Sequence, residues 1–248
     1  MGHDDCVVIL AGGEGSRLKP YTNVLPKPLI PVGDVPILEV VIQQLRHAGF
    51  TRLFLAVNYL DGLIRSYFRN GEDLGVSIAY SKEKRPLGTI GPLHLVADSL
   101  PESFLVMNGD ILTDLDYRTC LDAHKRSNTE LTLVTFERRL DVGFGVAHVD
   151  ERNAVTGFQE KPAISLSVVA GVYAMNRAVL AHVPGDRAFG IDDLVLTMLK
   201  AGLRVNNYGH RGEWYDIGRQ PDLERANDAF ARRRHKFLRR ENELAGVA

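Results

Sequence analysis

A glycine-rich turn directly after a buried strand is the feature that most constrains the fold of this chain. The run CVVILAGG, residues 6–13, is β-branched and uninterrupted, which is typical of a strand covered on both faces. The glycines of AGGEGSRLKP, residues 11–20, let the backbone approach a ligand closely, and their amides can bind phosphate oxygens. The chain lacks GxxxxGK[ST], and G-x-G-x-x-G fails because Leu18 holds the third glycine position. The sequence therefore predicts a phosphate-binding turn of another kind.

Strands and helices alternate through the first half of the chain. Residues 36–48 carry Ile37, Val41 and Leu45, a spacing of four that predicts a helix facing a core. Further strands are predicted at residues 52–57, 76–80 and 104–110, and further helices near residues 63–68 and 91–97. This alternation predicts an α/β fold with a layered sheet and right-handed crossovers.

The second half is richer in strands. Strands with few helical turns between them are predicted at residues 131–136, 145–149, 155–160 and 168–175. Because no linker rich in Pro, Gly or Ser divides the halves, we expect one domain over residues 1–248, with a mixed or antiparallel extension of the same sheet. A long polar helix is predicted at residues 222–243, within a C-terminal helix and tail over 222–248.

The charge balance and the cysteines exclude several classes of protein. Lys and Arg total 30 against 31 Asp and Glu, and a net charge of -1 argues against bulk nucleic-acid binding. The only cysteines, Cys6 and Cys120, are too few for a disulfide framework or a zinc site, so buried free thiols are expected. No apolar stretch is long enough to cross a bilayer, and we expect a cytoplasmic protein with no membrane or nucleic-acid partner.

Two cations lie close to the glycine turn in sequence. Arg17 is within the turn, and Lys27 stands between Pro26 and Pro28, which restrict the backbone and aim the side chain. This pair suits a polyphosphate ligand, because the Arg can bind two phosphate oxygens at once and the Lys can neutralise one negative charge. The alternative is a pair of surface cations in a flexible loop.

Two aspartates are candidates for a metal site. Asp110 lies at the end of the predicted strand VMNGD, and ligands of open α/β sheets usually bind at such strand ends. Asp216 follows shortly after the only tryptophan, Trp214. Two carboxylates together with substrate phosphates suit Mg²⁺. Each aspartate could equally cap a helix or a turn.

These residues resemble a known family. LAGGEGSRLKP followed by LPKPLIPVGDVPILE is similar to the signature of the sugar-1-phosphate nucleotidyltransferases, or nucleotide-sugar pyrophosphorylases. The motifs PLGT, NGD, EKP, AGVY and WYDIG follow in the family's order, so that the resemblance runs from Val7 to about Phe230. It implies a Rossmann-like nucleotidyltransferase fold and the reaction of a nucleoside triphosphate with a sugar 1-phosphate to give an NDP-sugar and pyrophosphate.

The resemblance also implies roles for individual residues. Arg17 would hold the leaving pyrophosphate, Lys27 would bridge the reacting phosphates, and Asp110, a catalytic residue, would hold Mg²⁺ together with Asp216. The nucleotide would contact Leu10, Ala11, Gly12, Gly13, Gly15, Ser16, Pro86, Gly88 and Thr89. The sugar phosphate would contact Gly145, Glu160, Lys161 and Gly171.

Departures from the family pattern bear on the substrates. Many members read GTAG-A-L, whereas this chain has GTIGPL, and Pro92 in that position resembles mannose-1-phosphate guanylyltransferases. Val169 replaces a usual asparagine and cannot form a side-chain hydrogen bond, which puts the usual sugar contact in doubt. We therefore expect the substrates to be GTP and a hexose, heptose or cyclitol 1-phosphate. The alternatives are a UTP- or dTTP-dependent glucose-1-phosphate enzyme and a non-catalytic subunit that binds nucleotide sugars. A homodimer is a separate hypothesis.

Overall fold

The centre of the molecule is a seven-stranded mixed sheet, seen in a computed structural model that describes residues 5–238. The strands are β1 (Cys6–Ala11), β2 (Pro31–Val32), β3 (Val35–Pro36), β4 (Arg52–Val57), β5 (Ser77–Lys82), β6 (Ser103–Asn108), β7 (Ile111–Thr113), β8 (Leu131–Asp141), β9 (Val146–Val149), β10 (Val155–Gln159), β11 (Ala163–Asn176), β12 (Val205–His210) and β13 (Trp214–Asp216). The α-helices are α1 (Ile37–His47), α2 (Asp61–Phe68), α3 (Tyr117–Ser127), α4 (Ile191–Lys200) and α5 (Gln220–Phe237).

The sheet has the strand order β12-β8-β11-β6-β1-β4-β5. Strands β5, β4, β1 and β6 run parallel to one another, β11 is antiparallel to both β6 and β8, and β12 is parallel to β8. Smaller two-stranded sheets pair β9 with β10, β7 with β13 and β2 with β3. The predicted α/β fold, with a mixed central sheet flanked by helices and a C-terminal helix, is confirmed.

The two faces of β1 explain why its sequence is continuously apolar. Val7 and Ile9 pack in one buried cluster with residues of α1, α2 and α3, whereas Cys6 and Val8 pack in another that includes Leu194 of α4. Side chains of a strand alternate between faces, so a strand covered on both sides needs apolar residues at every position. The thiols of Cys6 and Cys120 are free and buried, as predicted.

Helix α1 follows its predicted boundaries because its sequence contains both the apolar face and the stop signal. Ile37, Val41 and Leu45 are buried, and Gly49 takes the positive φ angle of 84° that ends a helix readily. The predicted helix at 91–97 is instead a 3-10 helix, Gly91–Ser99, with Pro92 in its first turn. Proline suits a first turn because it has no N–H to donate, but it does not decide which kind of helix follows.

The outer ends of β8 and β11 leave the sheet as a two-stranded ribbon, in which Arg139 pairs with Ser165 and Asp141 with Ala163. The hairpin β9–β10 connects the two strands of this ribbon along the chain. The predicted antiparallel extension is therefore present. The sequence did not predict α4, β12 or the three-residue strands β7 and β13.

The C-terminal helix α5 packs on the small sheets. Phe230 and Phe237 stack with ring centroids 6.1 Å apart in a buried cluster with Ile217. Arg233 departs from helical backbone angles where its guanidinium pairs with Glu213 and donates to the Tyr215 hydroxyl. The helix ends at Phe237, and the predicted continuation to 243 lies outside the described residues apart from Leu238. Among residues 5–238, none of the helices combines the length and apolar character needed to span a bilayer.

Candidate active site

A cavity of about 470 Å³ opens at the carboxyl ends of the parallel strands. Ala11, Val57, Ser81 and Asn108 line it, one from each of β1, β4, β5 and β6. Ligands bind at this edge of open α/β sheets because the strand ends and the loops that follow them converge there. Every residue predicted to contact the nucleotide lines this cavity: Leu10, Ala11, Gly12, Gly13, Gly15, Ser16, Pro86, Gly88 and Thr89.

The glycine turn is held against the segment that contains Lys27. Gly15 has a φ angle of 62°, and a Cβ there would lie 2.9 Å from Thr22 Cγ2 and 3.1 Å from Lys27 Cβ. The Thr22 hydroxyl donates a hydrogen bond of 2.9 Å to the Gly15 carbonyl oxygen. Glycine at 15 therefore meets both a conformational and a steric requirement, and it brings the turn and Lys27 together.

The PLGT segment forms the opposite wall. Gly88 has a φ angle of 77°, and a Cβ there would lie 2.7 Å from the carbonyl oxygen of Phe189. The Phe189 amide donates to the Leu87 carbonyl oxygen at 2.8 Å, and the Ile191 amide donates to the Thr89 hydroxyl at 3.1 Å. These bonds fix the wall against the start of α4.

Lys27 and Asp110 form an ion pair at one end of the cavity. Their side chains are only 14% and 15% exposed, so the pair is shielded from water. Pro26 is extended, and a single 3-10 turn, Lys27–Leu29, begins at the lysine. The two prolines thus hold the lysine in one orientation, as the sequence predicts.

Asp216 joins this cluster through strand pairing. Strand β13 is antiparallel to β7, Asp216 lies opposite Ile111, and the Ile217 amide donates to the Asp110 carbonyl oxygen at 3.0 Å. The pKa of the Asp216 carboxyl is raised by removal from water and, second, by the negative charge of Asp110, while Lys27 and Arg17 oppose the shift.

Arg17 completes the charged cluster at the mouth of the cavity. A Cβ on Gly218 would lie 3.3 Å from Arg17 Nη2 and 3.3 Å from Asp216 Oδ2, so glycine at 218 leaves room for both groups. Within residues 5–238, no group of three or more His, Cys, Asp or Glu side chains is arranged to hold a metal. Asp110 and Asp216 are two carboxylates whose mutual repulsion a cation would relieve, and substrate phosphates could supply its remaining ligands.

A second cavity, of about 260 Å³, borders Asp216. Trp214 and Phe136 stack on each other with ring centroids 5.6 Å apart, and the indole N–H donates to the Ala170 carbonyl oxygen at 2.9 Å. The cavity is lined by Phe136, Arg138, Trp214, Tyr215, Asp216, Asp222 and Arg225. Asp216 therefore borders this second cavity and also lies close to the Asp110 carboxylate.

Of the four residues predicted to contact the sugar phosphate, three lie close together, but away from both cavities. Gly171 has a φ angle of 71°, and its α-carbon lies against Asn108 and Ile111, beside the first cavity. Gly145, Glu160 and Lys161 lie near one end of the β9–β10 hairpin, where the Glu160 and Lys161 side chains are 66% and 68% exposed and 3.9 Å apart. None of these residues lines either cavity.

Sequence reasoning missed Glu83, which lines the first cavity between β5 and the PLGT wall. Its Oε1 accepts a hydrogen bond of 3.0 Å from Asn58 Nδ2, and its Oε2 accepts one of 2.7 Å from the Leu87 amide. The carboxylate is therefore held in one orientation. The available signal was an acidic residue at the carboxyl end of a predicted strand, but Glu83 stands among Lys82, Lys84 and Arg85 and looks like part of a charged surface loop.

Comparisons with known proteins agree with this geometry. The model of the nucleotidyl transferase family matches residues 6–233. A UTP–glucose-1-phosphate uridylyltransferase of Synechocystis is 33% identical over 234 residues, covering 87% of this chain and 60% of the relative. A mannose-1-phosphate guanylyltransferase of Mycobacterium tuberculosis is 31% identical over 237 residues, covering 93% of this chain and 66% of the relative. The chain thus spans less than two thirds of the length of these curated relatives.

Solved structures show the same fold. One described as a glucose-1-phosphate thymidylyltransferase of Bacillus anthracis, in complex with sucrose, superposes with a TM-score of 0.71 at 26% identity, covering 90% of this chain and 93% of that one. The crystal structure of HddC from Yersinia pseudotuberculosis has a TM-score of 0.71 at 25% identity, covering 91% and 99%.

Proposed function

The chain belongs to the nucleotidyl transferase family, and from this we propose that it transfers a nucleotidyl group from a nucleoside triphosphate to a sugar 1-phosphate. The observation that carries the proposal is the meeting of Arg17, Lys27 and Asp110 at the glycine-lined cavity, with Asp216 close enough to interact with their charges. The family acts on nucleoside triphosphates and sugar 1-phosphates. A non-catalytic subunit would have no use for this complete set of charges.

The chemistry is a direct displacement. An oxygen of the sugar 1-phosphate attacks the α-phosphorus and forms a new P–O bond. The bond from the α-phosphorus to the oxygen shared with the β-phosphate breaks, and its electron pair leaves with pyrophosphate. No protein nucleophile is required, so the protein contributes positioning and charge neutralisation.

Lys27 has the central role in this proposal. Its ammonium group is paired with Asp110 and lines the same cavity as the glycine turn. A triphosphate with its α-phosphate beside Lys27 would draw the ammonium onto its oxygens and neutralise the charge that develops there. Arg17, at the cavity mouth, suits the departing pyrophosphate because its guanidinium can bind two oxygens at once.

Members of this family generally use a divalent metal ion, and we propose Mg²⁺ for this chain. Asp110 and Asp216 fit such an ion because both supply carboxylate oxygens, and because the negative charge of Asp110 adds to the burial that raises the pKa of Asp216. When bound, the ion would withdraw negative charge from the phosphates. Its remaining ligands would be phosphate oxygens and water.

For the base, Glu83 favours guanine. Each of its carboxylate oxygens already accepts one hydrogen bond and keeps capacity for a second. Guanine offers two adjacent donors, N1–H and the N2 amino group, which match the two oxygens. Uracil and thymine offer a single donor, N3–H, flanked by carbonyl oxygens that a carboxylate repels. We therefore propose GTP as the donor, with UTP or dTTP as the alternative.

Purified protein with Mg²⁺, each nucleoside triphosphate and a panel of hexose, heptose and cyclitol 1-phosphates tests the proposal. We expect pyrophosphate release to need both substrates and to be fastest with GTP. Release with UTP or dTTP alone would support the alternative base. No release with any pair would overturn the enzymatic proposal and favour a nucleotide-sugar-binding subunit.

A further inference from the structure

The ribbon formed by the outer ends of β8 and β11 has two open edges. Strand β12 pairs with β8 only as far as Phe136, and β6 pairs with β11 only from Val172 onward. Within residues 5–238, the stretches 137–141 of β8 and 163–169 of β11 therefore have a strand on their inner side and none on their outer side. The backbone N–H and C=O groups directed outward from such edges can pair with another strand.

The two open edges differ in charge. Of the five residues ERRLD at 137–141 on β8, only Leu140 is uncharged. The stretch AISLSVV at 163–169 on β11 has no charged residue and no proline, and the irregular pairing of β11 lies beyond it, between Val169 and Tyr173. Proteins protect exposed edges from unwanted pairing with charged side chains, prolines or bulges. The β8 edge is therefore protected, whereas the β11 edge is not.

The unprotected edge is also apolar. Ile164, Leu166 and Val169 are between 42% and 48% exposed. In the part of the chain that the structure describes, more of the exposed large apolar side chains lie within residues 140–169 than outside them. Monomeric proteins rarely expose a large contiguous apolar patch, and such a patch marks a site for another protein chain.

The outer strands of the main sheet do not combine these properties. Strand β5 ends in Lys82, and β12 contains Asn206, Asn207 and Gly209, which are residue types depleted in strands. Neither strand has an exposed large apolar side chain. The open edge of β11 is thus the edge best suited to pairing with another strand.

We propose that the open edge of β11 is the interface through which two copies of this chain form a dimer. The inference is independent of the proposed reaction. The two β11 strands pair antiparallel about a two-fold axis at Leu166, the midpoint of residues 163–169. Ile164 then lies opposite Val168 of the partner subunit, and Ser165 lies opposite Ser167 of the partner subunit. Apolar residues oppose apolar ones and serines oppose serines, so that no like charges meet across the interface.

A second copy fits this edge because it leaves no apolar edge open. The joined ribbons form a sheet with the strand order β8-β11-β11-β8, in which both outer edges are the charged residues 137–141. Charged edges disfavour the addition of further strands, so the assembly closes at two chains. A single strand from another protein would instead leave its own outer edge open.

The first test is the solution mass of the full chain, measured by light scattering after size-exclusion chromatography over a range of concentrations. We expect a dimer. Leu166→Lys places two like charges directly opposite each other and should raise the dimer dissociation constant at least about 100-fold. The matched control is Leu140→Lys, which is the same substitution on the same face at a similar exposure, but on β8. It should leave the dissociation constant within about twofold.

The second test is a cross-link that does not depend on the lysine variant folding. Directly opposed side chains of antiparallel strands have Cβ atoms about 4.5–5.5 Å apart, so Leu166→Cys should form a disulfide-linked dimer when copper phenanthroline is added as oxidant. Cys6 and Cys120 are buried, so the unsubstituted protein should form no cross-link, and neither should the control Leu140→Cys.

A dimer that is lost in Leu166→Lys, kept in Leu140→Lys and cross-linked in Leu166→Cys would support the inference. A monomer at every concentration, or a dimer that Leu166→Lys leaves intact, would overturn it. Equal loss of the dimer in both lysine variants, or equal cross-linking of both cysteine variants, would indicate that the ribbons pack face to face, and would also overturn the pairing of the β11 edges.

Discussion

Replacement of Glu83 by Gln should change which base the nucleotide cavity accepts. The carboxylate is held by Asn58 and by the Leu87 amide, with one donor on each oxygen. A glutamine can keep the Leu87 bond through its carbonyl oxygen, and its amino group can face Asn58 if that side-chain amide rotates to present its oxygen. The variant should therefore fold. The local change is confined to the loss of the negative charge at position 83 and of one hydrogen-bond acceptor oxygen.

The expected size follows from the hydrogen bonds. In Glu83→Gln an amino group replaces one carboxylate oxygen, so one guanine donor loses a charged acceptor, which costs about 1.5–3 kcal/mol, or about 10- to 150-fold in kcat/KM. The glutamine amide can accept a hydrogen bond from uracil N3–H and donate one to a carbonyl oxygen of uracil, so kcat/KM for UTP should rise. The ratio of kcat/KM for GTP over UTP should fall by about 100-fold or more, from the loss and the gain together.

The assay is the initial rate of pyrophosphate release with GTP, UTP and inosine triphosphate at a fixed acceptor concentration. Inosine triphosphate lacks the N2 amino group, so the unsubstituted protein should use it about tenfold less well than GTP, and Glu83→Gln should narrow that gap. Glu72→Gln, on an exposed 3-10 turn, is the control for loss of one negative charge. A GTP/UTP ratio that stays within twofold of the unsubstituted protein in Glu83→Gln would refute the assignment of Glu83 to base recognition.

Three further substitutions test the charged cluster and the glycine turn. Lys27→Ala should lower kcat/KM at least about 100-fold in the pyrophosphate assay, because it removes the cation at the reacting phosphates, and activity equal to that of the unsubstituted protein would contradict its role. Asp216→Asn should abolish activity yet raise the Tm at neutral pH, since removal from water and the negative charge of Asp110 make ionised Asp216 less favourable in the folded than in the unfolded chain. That gain should vanish in calorimetric scans as the pH falls below the ordinary value of 3.8, where the carboxyl is protonated in both states, and a lower Tm at neutral pH would contradict the raised pKa of Asp216. Gly15→Ala should destabilise the fold by about 1–2 kcal/mol in urea denaturation, because alanine at positive φ is strained and its Cβ meets Thr22, and unchanged stability would contradict that strain.

Much of the sheet could be predicted from apolar patterning. Strand β4 occupies the predicted residues 52–57, and α1 lies within the predicted 36–48. Both elements are long enough for several apolar residues to show their period. Strands β7 and β13 have only three residues each, too few for a period, and they form because each supplies the other's backbone hydrogen bonds.

The charged cluster was predictable only in part, because some of its residues carry a local sequence signal and others do not. Asp110 follows a buried parallel strand and Lys27 is bracketed by prolines, so each carried a local signal. The meeting of Asp216 with them depends on the pairing of β13 with β7, which joins residues more than a hundred positions apart and leaves no local trace.

The most direct test of the account follows the phosphate oxygens. The protein is incubated with GTP, Mg²⁺ and an acceptor whose three non-bridging phosphate oxygens are ¹⁸O, and the masses of the products are measured by mass spectrometry. Direct attack on the α-phosphorus predicts an NDP-sugar that keeps all three labels, unlabelled pyrophosphate, and no nucleotidyl adduct on the intact protein. Label in the pyrophosphate, or a guanylylated protein formed from GTP alone, would contradict the direct transfer proposed for Arg17, Lys27, Asp110 and Asp216.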